Sequence, residues 1–262
     1  MERYTIKKVP GARTVPKISV VIPAYNEELV IAATLQAVLA QDYPDFEVIV
    51  VNNASTDRTA EVVEKIAAMN GSNGLANLRL VHESKKGLLH ARERGRVEAH
   101  GDIVANMDAD CLPETDWLRI ASEYFTFTGD GFDGEVVAVS GPYDYHDAHP
   151  FFRASSMAMQ SYIYRPVANV LQWPFVRGGA VLIGGNNAIR ADILRKMGGY
   201  NTALVFYGED TDTAKRVAKH GRVVFTPRVK MKTSARRFKE EGTLRMTARY
   251  LFHFFKHTFR GV

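Results

Sequence analysis

The sequence predicts an α/β protein in which a mostly parallel central sheet is covered by helices on both faces. Within the first 110 residues, short apolar runs alternate repeatedly with segments that carry apolar residues at helical spacing. Such alternation calls for right-handed crossovers and hence for parallel strands. No Pro/Gly/Ser-rich linker divides the 262 residues, so we expect a single domain.

Each unit of the first half pairs an apolar run with an amphipathic stretch. The predicted strands are 18–23, 46–51, 78–81 and 103–107, and the helices between them are expected around 31–39, after an N-cap at Ser55, and over 89–100. The second half is less regular. Its expected elements are a helix over 113–125, a strand at 136–139, a helical stretch over 151–170, a strand closed by 184–187, a helix over 209–220 and a strand at 222–226.

Composition excludes several classes of protein. With 46% hydrophobic and 24% charged residues, the chain resembles an ordinary globular protein. Its one cysteine, Cys111, can form neither an intramolecular disulfide nor a cysteine-based zinc cluster, which favours a reducing compartment. The apolar runs are far shorter than the ~18 residues that a spanning helix needs. Because the N-terminus also lacks the apolar core of a secretory signal, we expect a cytoplasmic protein.

The positive charge is concentrated near the C-terminus. The net charge is +5, but residues 228–262 hold ten Lys/Arg against two Glu, so the preceding residues are slightly acidic. Nucleic-acid binding is disfavoured because residues 1–227 are slightly acidic and the basic segment lacks a recognition motif. For 238–262 we expect a basic amphipathic helix packed on or beside the domain, and an in-plane membrane contact is the alternative. Its apolar stripe is Leu244, Ala248, Leu251, Phe252, Phe255 and Phe259.

Two carboxylates, Asp108 and Asp110, follow the strand 103–107 directly. Ligands of parallel sheets bind beyond the carboxyl ends of the strands, where the loops 23–27, 52–55 and 83–87 also lie. Hard divalent cations prefer carboxylate oxygens and leave positions for phosphate ligands. The pair therefore predicts a bridge between a metal ion and a nucleotide diphosphate, although Asp-x-Asp is also a common turn sequence.

Six motifs, in order, resemble those of family 2 glycosyltransferases. The resemblance implies the GT-A fold, a Rossmann-like domain over 17–237 with a nucleotide-sugar-binding half at 17–112 and an acceptor-binding half at 113–237, preceded by an N-terminal extension at 1–16. The motifs are 20–28, 50–57, 86–95 with Lys86, Gly87 and Arg92, 108–110, 184–187 and 208–210.

The resemblance implies which residues bind the nucleotide-sugar donor. Asp110 would also hold the metal ion, Mg²⁺ or Mn²⁺. Asn53 stands where the family usually has an aspartate that accepts a hydrogen bond from uracil, and because an amide oxygen can also accept it, UDP-sugars are favoured. Arg236 and Arg237 would grip the diphosphate, or are simply surface residues. The donor-binding residues are Pro23, Ala24, Tyr25, Glu27, Asn53, Gly87, Arg92, Asp108, Ala109, Asp110, Arg236 and Arg237.

On the acceptor side, the resemblance makes Asp210 the general base and assigns acceptor binding to Gly185, Asn186 and Glu209. A single base opposite the leaving group implies one displacement and inversion at the anomeric carbon. The residues alone allow simpler interpretations. Acids in the first turn of a helix are favoured by its dipole, and Gly184 with Gly185 could form a bulge or tight turn.

Two other functions compete with a transferase acting on a carbohydrate or lipid-linked acceptor. Haloacid-dehalogenase-like phosphatases also carry a strand-end Asp-x-Asp, but on their first strand and with Thr or Val where this chain has Leu112. A non-catalytic nucleotide-sugar-binding protein is expected to lack Asp110 or Asp210, and both are present.

Overall fold

The computed structural model describes residues 15–71, 77–127, 131–132, 134–164, 166–167, 170, 180–204 and 208–242. The strands are β1 (Ile18–Ala24), β2 (Phe46–Asn52), β3 (Asn77–His82), β4 (Ile103–Met107), β5 (Val136–Ser140), β6 (Tyr143–Tyr145), β7 (Asn186–Arg190), β8 (Arg222–Phe225) and β9 (Met231–Thr233). The α-helices are α1 (Ile31–Leu39), α2 (Thr59–Gly71), α3 (Leu88–Glu98), α4 (Trp117–Ser122), α5 (Pro150–Met159), α6 (Ala191–Lys196), α7 (Glu209–Ala218) and α8 (Arg236–Glu241). A π-helical turn at Gln160–Tyr164 continues α5.

Seven of these strands form one sheet in the order β3-β2-β1-β4-β7-β5-β8. All neighbours are parallel except β7, which is antiparallel to both β4 and β5. The predicted α/β fold with a mostly parallel sheet is therefore confirmed. The antiparallel strand joins the two predicted halves of the domain, because β4 belongs to the first and β5 to the second.

Apolar residues on both faces explain why the central strands are uninterrupted apolar runs. In β1, Val20 and Ile22 pack into one core cluster and Val21 into the other. Helix α1 buries Ile31 and Leu35, one helical turn apart, against the first cluster. Sheets covered on both faces show this pattern, whereas a half-exposed sheet alternates apolar and polar residues.

Several predicted boundaries are wrong. The run 180–183 is not a strand that ends at the glycines: β7 begins after them, at Asn186, whose N–H donates to Ile183 O in a tight turn. Ser55 does not cap a helix, because its hydroxyl accepts the N–H of Asn26 and α2 begins at Thr59. The expected helix over 113–125 shortens to α4, whereas the helical stretch expected over 151–170 is found as α5 and its π-helical turn, and the described residues 166, 167 and 170 are helical too.

The predicted terminal segments fall mostly outside the described residues. This holds for residues 1–14 of the N-terminal extension and for 243–262 of the C-terminal amphipathic helix. Helix α8 begins at Arg236 and so crosses the predicted boundary between 237 and 238. Within the part of the chain that the structure describes, no helix has the length and apolar character needed to span a membrane.

Candidate active site

The Asp-x-Asp carboxylates lie beyond the carboxyl end of β4, as predicted, and each has neighbours from distant segments. Asp108 accepts a hydrogen bond from the Tyr143 hydroxyl at 2.8 Å and another from Arg92 Nη2 at 3.4 Å. Asp110 accepts a hydrogen bond from Thr233 Oγ1 at 3.1 Å. Ala109 between them is buried, and its carbonyl accepts a hydrogen bond from the Thr34 hydroxyl. The loop is thus held from α1, α3, β6 and β9.

Asp210 lies in the same site, at the first turn of α7. Its Oδ1 accepts a hydrogen bond from Arg92 Nη1 at 3.2 Å, and its Oδ2 accepts one from Gly184 N at 2.9 Å. Loss of hydration raises the pKa of Asp210 to about 6, and Glu209 and Asp108 add to this rise, while Arg92 and the Gly184 N–H oppose it. The Asp210 side chain keeps 39% of its surface exposed, so an acceptor hydroxyl can reach it.

Arg92, predicted to bind the nucleotide, lies against two carboxylates of the site. Its side chain is only 5% exposed, and its two terminal nitrogens point to Asp108 and Asp210. The structure thus makes Arg92 a link between the Asp-x-Asp loop and Asp210, and its contact with a nucleotide stays a prediction. Its Nε is buried and has no hydrogen-bond partner among the described residues.

The glycine pair at 184–185 allows the backbone to press against both carboxylates. A Cβ atom on Gly184 would lie 2.1 Å from Asp210 Oδ1, and one on Gly185 would lie 2.1 Å from Asp108 Cγ. Real Cβ atoms essentially never approach other atoms so closely, so a side chain at either position would push the facing carboxylate out of its observed place. The tight-turn interpretation is thus confirmed, and the turn forms a wall of the site.

Asn186, predicted to bind the acceptor, is completely buried. Its Nδ2 donates to the carbonyls of Gly141, Pro142 and Val229, and its Oδ1 accepts the indole N–H of Trp117. The side chain thus pairs buried carbonyls and fixes the start of β7, and its contact with an acceptor stays a prediction.

Glu209, also assigned to the acceptor, is buried beside the base. Only 8% of the residue is exposed, and its Oε2 has no hydrogen-bond partner among the described residues. A buried oxygen without a partner is costly, which makes it a candidate to accept a hydrogen bond from a ligand hydroxyl.

The donor loop after β1 is fixed by the loop after β2. Pro23 and Ala24 are the buried end of β1, and the Glu27 N–H donates to Thr59 Oγ1 at 2.8 Å. Tyr25 is more open, with 39% of its surface exposed, and its hydroxyl accepts a hydrogen bond from Lys86 Nζ at 2.6 Å. These contacts place the predicted nucleoside-binding residues at one rim of the site.

Asn53 uses its side chain within the protein. Nδ2 donates to Glu83 O at 3.2 Å and to Lys85 O at 2.8 Å, and Oδ1 accepts the N–H of Gly87 at 2.7 Å. Gly87 precedes α3 with φ +144°, a conformation that favours glycine. The pattern explains why an amide replaces the family's aspartate, because a carboxylate cannot donate to the two carbonyls. The hydrogen bond from Gly87 N also occupies Asn53 Oδ1, the oxygen that was expected to accept a hydrogen bond from uracil.

The two predicted diphosphate-binding arginines differ in their surroundings. Arg236 Nη2 lies 2.9 Å from both carboxylate oxygens of Glu27, on the far side of the donor loop. Arg237, next along α8, is exposed. The structure therefore brings Arg236 to the rim of the site through its pairing with a predicted nucleoside-binding residue.

Sequence reasoning missed two groups of the site. Tyr143, whose hydroxyl bonds Asp108, is positioned by Gln160, which accepts the Tyr143 N–H and donates to its carbonyl. Thr233 donates to Asp110. No sequence motif identifies Tyr143 or Gln160, because Gln160 contacts Tyr143 from a π-helical turn that has no sequence signature. Thr233 could have been noticed, since it stands three residues before Arg236.

The residues at the end of β4 fit a divalent cation. Burial raises the pKa of Asp110 to about 6, with further contributions from Asp108 and Glu27, so a cation here would relieve mutual repulsion of carboxylates. Among the described residues, no group of three or more His, Cys, Asp or Glu side chains surrounds a common point. Oxygen ligands from few carboxylates, completed by phosphates and water, are typical of Mg²⁺ sites at nucleotides.

Comparison with known proteins establishes the family. The model of glycosyl transferase family 2 matches residues 19–198, which is more than half of the chain. The chain therefore belongs to glycosyl transferase family 2, as its motifs predicted. The phosphatase alternative is consequently wrong.

Relatives and a solved structure agree with this membership. The chain is 30% identical over 226 residues to the probable glycosyltransferase YdaM of Bacillus subtilis and 30% identical over 212 residues to the glycosyltransferase AglE of Haloferax volcanii. These alignments cover 84% and 79% of this chain but only 51% and 63% of the relatives, so the chain spans just over half of their length.

The mannosyltransferase PcManGT of Pyrobaculum calidifontis, solved with GDP-Man and Mn²⁺, has a similar structure. It is 28% identical with a TM-score of 0.69, and the match covers 100% of this chain and 69% of that one.

Proposed function

We propose that this chain is the catalytic domain of an inverting glycosyltransferase that moves a sugar from a nucleotide diphosphate sugar to an acceptor hydroxyl. One observation carries the proposal: Arg92 contacts both Asp108 and Asp210, so the predicted donor motif and the predicted base belong to one site. Family membership supports glycosyl transfer, and the geometry supports the roles of individual residues.

Asp210 acts as the general base. It is 39% exposed, and with a pKa raised to about 6 its carboxylate is ionised at neutral pH yet basic enough to accept the proton of an attacking hydroxyl. Gly185 lines the wall of the site next to Asp108, and Glu209 accepts a second hydrogen bond from the acceptor. One displacement by that hydroxyl inverts the anomeric centre, so an α-linked donor gives a β-linked product.

Asp110 is the residue that would hold Mg²⁺ or Mn²⁺, and such an ion neutralises the charge of a departing diphosphate. Asp108 faces the ribose, while Ala109, Pro23, Ala24, Tyr25 and Gly87 form the nucleoside side of the site. Arg236 and Arg237 lie at the rim, from which their guanidinium groups can reach phosphate oxygens. UDP-sugars are the favoured donors, and GDP-sugars are the second class to test because the donor in PcManGT is GDP-Man.

The acceptor is a carbohydrate or a lipid-linked molecule, whose hydroxyl attacks the anomeric carbon. The proposal concerns the domain described here, because the relatives are substantially longer than this chain.

A donor screen tests the proposal. Nucleotide release is measured from a panel of UDP- and GDP-sugars with Mg²⁺, Mn²⁺ or EDTA, with and without sugar acceptors, and the anomeric configuration of any product is read by NMR. We expect metal-dependent release from one donor class and an inverted product. Tight donor binding without transfer would instead indicate a non-catalytic binding protein, and a retained configuration would contradict the single displacement.

A further inference from the structure

We propose that Arg92 is a positioning residue for Asp210 and not a contact of the nucleotide. The proposal rests on the proposed function in one respect, because it takes Asp210 as the base. It assigns to Arg92 two effects on that base: the guanidinium fixes the orientation of the carboxylate, and its charge keeps the carboxylate ionised beside other acids.

The geometry of the guanidinium supports the first effect. Nη1 lies 3.2 Å from Asp210 Oδ1 and Nη2 lies 3.4 Å from Asp108 Oδ1, so each end of the fork meets a different carboxylate. The Gly184 N–H holds the other oxygen of Asp210 at 2.9 Å. Two donors from different segments thus fix both oxygens of the carboxylate, which is the condition for a base that must meet a hydroxyl in one orientation.

The charges around Asp210 support the second effect. Glu209, from its own helix, and Asp108, from the loop after β4, are both acidic and oppose its ionisation. Arg92, from α3, is the cation that counters them, together with the Gly184 N–H dipole. An opposite charge at this distance lowers the pKa of a carboxyl by about 1–3 units.

Burial separates Arg92 from a nucleotide contact. Its side chain is 5% exposed, whereas those of Asp108 and Asp210 are 35% and 39% exposed. The carboxylates therefore face the ligand side, and the guanidinium lies behind them. A Cβ on Gly184 would lie 2.5 Å and 2.7 Å from the terminal nitrogens of Arg92, so the turn at 184–185 closes the remaining approach.

Lysine cannot replace arginine in this position. A single ammonium is a point charge, whereas the planar guanidinium presents N–H groups in two directions and can bridge two carboxylates. Arg92→Lys is therefore expected to retain charge compensation in part and to lose the orientation of Asp210. Arg92→Met removes both.

The first experiment measures the ionisation of Asp210 without any substrate. The full chain is labelled with [γ-¹³C]aspartate, the Asp210 signal is assigned by its loss in Asp210→Asn, and its pKa is obtained by NMR titration. In Arg92→Met we expect the pKa of Asp210 to rise by about 1 unit or more, with a smaller rise in Arg92→Lys. The control is Arg94→Met, because Arg94 lies on the same helix and pairs with Glu98 away from the site, and it should show no change.

An unchanged Asp210 pKa in Arg92→Met would overturn the proposal. Melting curves show whether each variant is folded. If Arg92→Met does not fold, Arg92→Lys decides, because the proposal requires a measurable rise there and the absence of one contradicts it.

The second experiment uses the donor found in the screen. At saturating Mn²⁺ and donor, Arg92→Met should shift the acid limb of kcat to higher pH while the donor KM stays within threefold of wild type. A large rise in donor KM with an unmoved acid limb would show that Arg92 contacts the donor and would overturn the proposal. Full activity in Asp210→Asn would instead refute the proposed base, and the NMR titration then still decides the electrostatic role of Arg92.

Discussion

Glu27 and Arg236 are joined by an ion pair in which one guanidinium nitrogen lies 2.9 Å from both carboxylate oxygens. They are 209 residues apart in sequence, and the pair links the donor loop after β1 to the start of α8. The charge of Arg236 is thus held at the edge of the site by Glu27. A diphosphate that enters the site offers oxygens that can replace the carboxylate.

The first prediction concerns this arginine. Arg236→Met should weaken the binding of UDP or GDP in the presence of Mn²⁺ by about tenfold or more, the scale of one charge-assisted hydrogen bond. Isothermal calorimetry measures the affinity. The control is Arg228→Met, because Arg228 pairs with Glu123 at the surface. Equal affinities in Arg236→Met and wild type would show that Arg236 has only a structural role.

The second prediction concerns metal dependence and pH at Asp110. Its pKa is raised to about 6, so the carboxylate is ionised above that pH and must lose a proton to bind a cation below it. The Mn²⁺-dependent affinity for UDP or GDP should therefore fall as the pH decreases from 7 to 5. Asp110→Asn should lose most of this dependence on metal. Calorimetry that finds the same affinity in wild type and variant would contradict the metal assignment.

The third prediction concerns Asn53. In Asn53→Asp, two N–H donations to Glu83 O and Lys85 O are lost, and a carboxylate faces both carbonyls. The loss of these two part-buried hydrogen bonds costs about 1–3 kcal/mol, so the free energy of unfolding in urea should fall by that order. Nucleotide affinity should fall for UDP and GDP alike, because the loop 83–87 loosens. Unchanged stability with tighter UDP binding would show instead that residue 53 recognises the base.

The fourth prediction concerns Gly184. In Gly184→Ala, a Cβ that clashes with Asp210 Oδ1 should displace the base and lower turnover by about 100-fold, the scale of a lost general base. Gly198→Ala is the matched control. Gly198 has φ +76°, but no atom of the described residues lies within 4 Å of its added Cβ, so this variant should lose about 1 kcal/mol of stability and retain turnover. Similar turnover in the two variants would contradict the contact between the turn and the base.

The fold and the motif positions were predictable because they depend on local patterns. Uninterrupted apolar runs such as β1 identify buried strands, and polar residues at strand ends identify the edge where ligands bind. The antiparallel direction of β7 was not predictable, because its partners β4 and β5 are distant in sequence and no periodicity encodes direction. The burial of Asn186 was not predictable for a related reason. Its amide is polar, but its partners Gly141 and Val229 become neighbours only in the fold.

The candidate site was likewise predictable only in part. Asp108, Asp110 and Asp210 were identified from their motifs, and the structure brings Asp108 and Asp210 to one arginine. The orientation of Arg92 was missed, because a motif records which residue is present and not which way it points. Tyr143 was missed because its position depends on Gln160 in a π-helical turn, which has no signature in the sequence.

The kcat of Asp210→Asn at saturating donor and Mn²⁺ tests the central claim most directly, with Asp116→Asn as a surface control. Asp116 pairs with Arg119 and is away from the site. If Asp210 is the base, Asp210→Asn should lower kcat by about 100-fold or more while its affinity for UDP or GDP with Mn²⁺ stays close to that of wild type. Transfer by Asp210→Asn at a rate near that of Asp116→Asn would contradict the account.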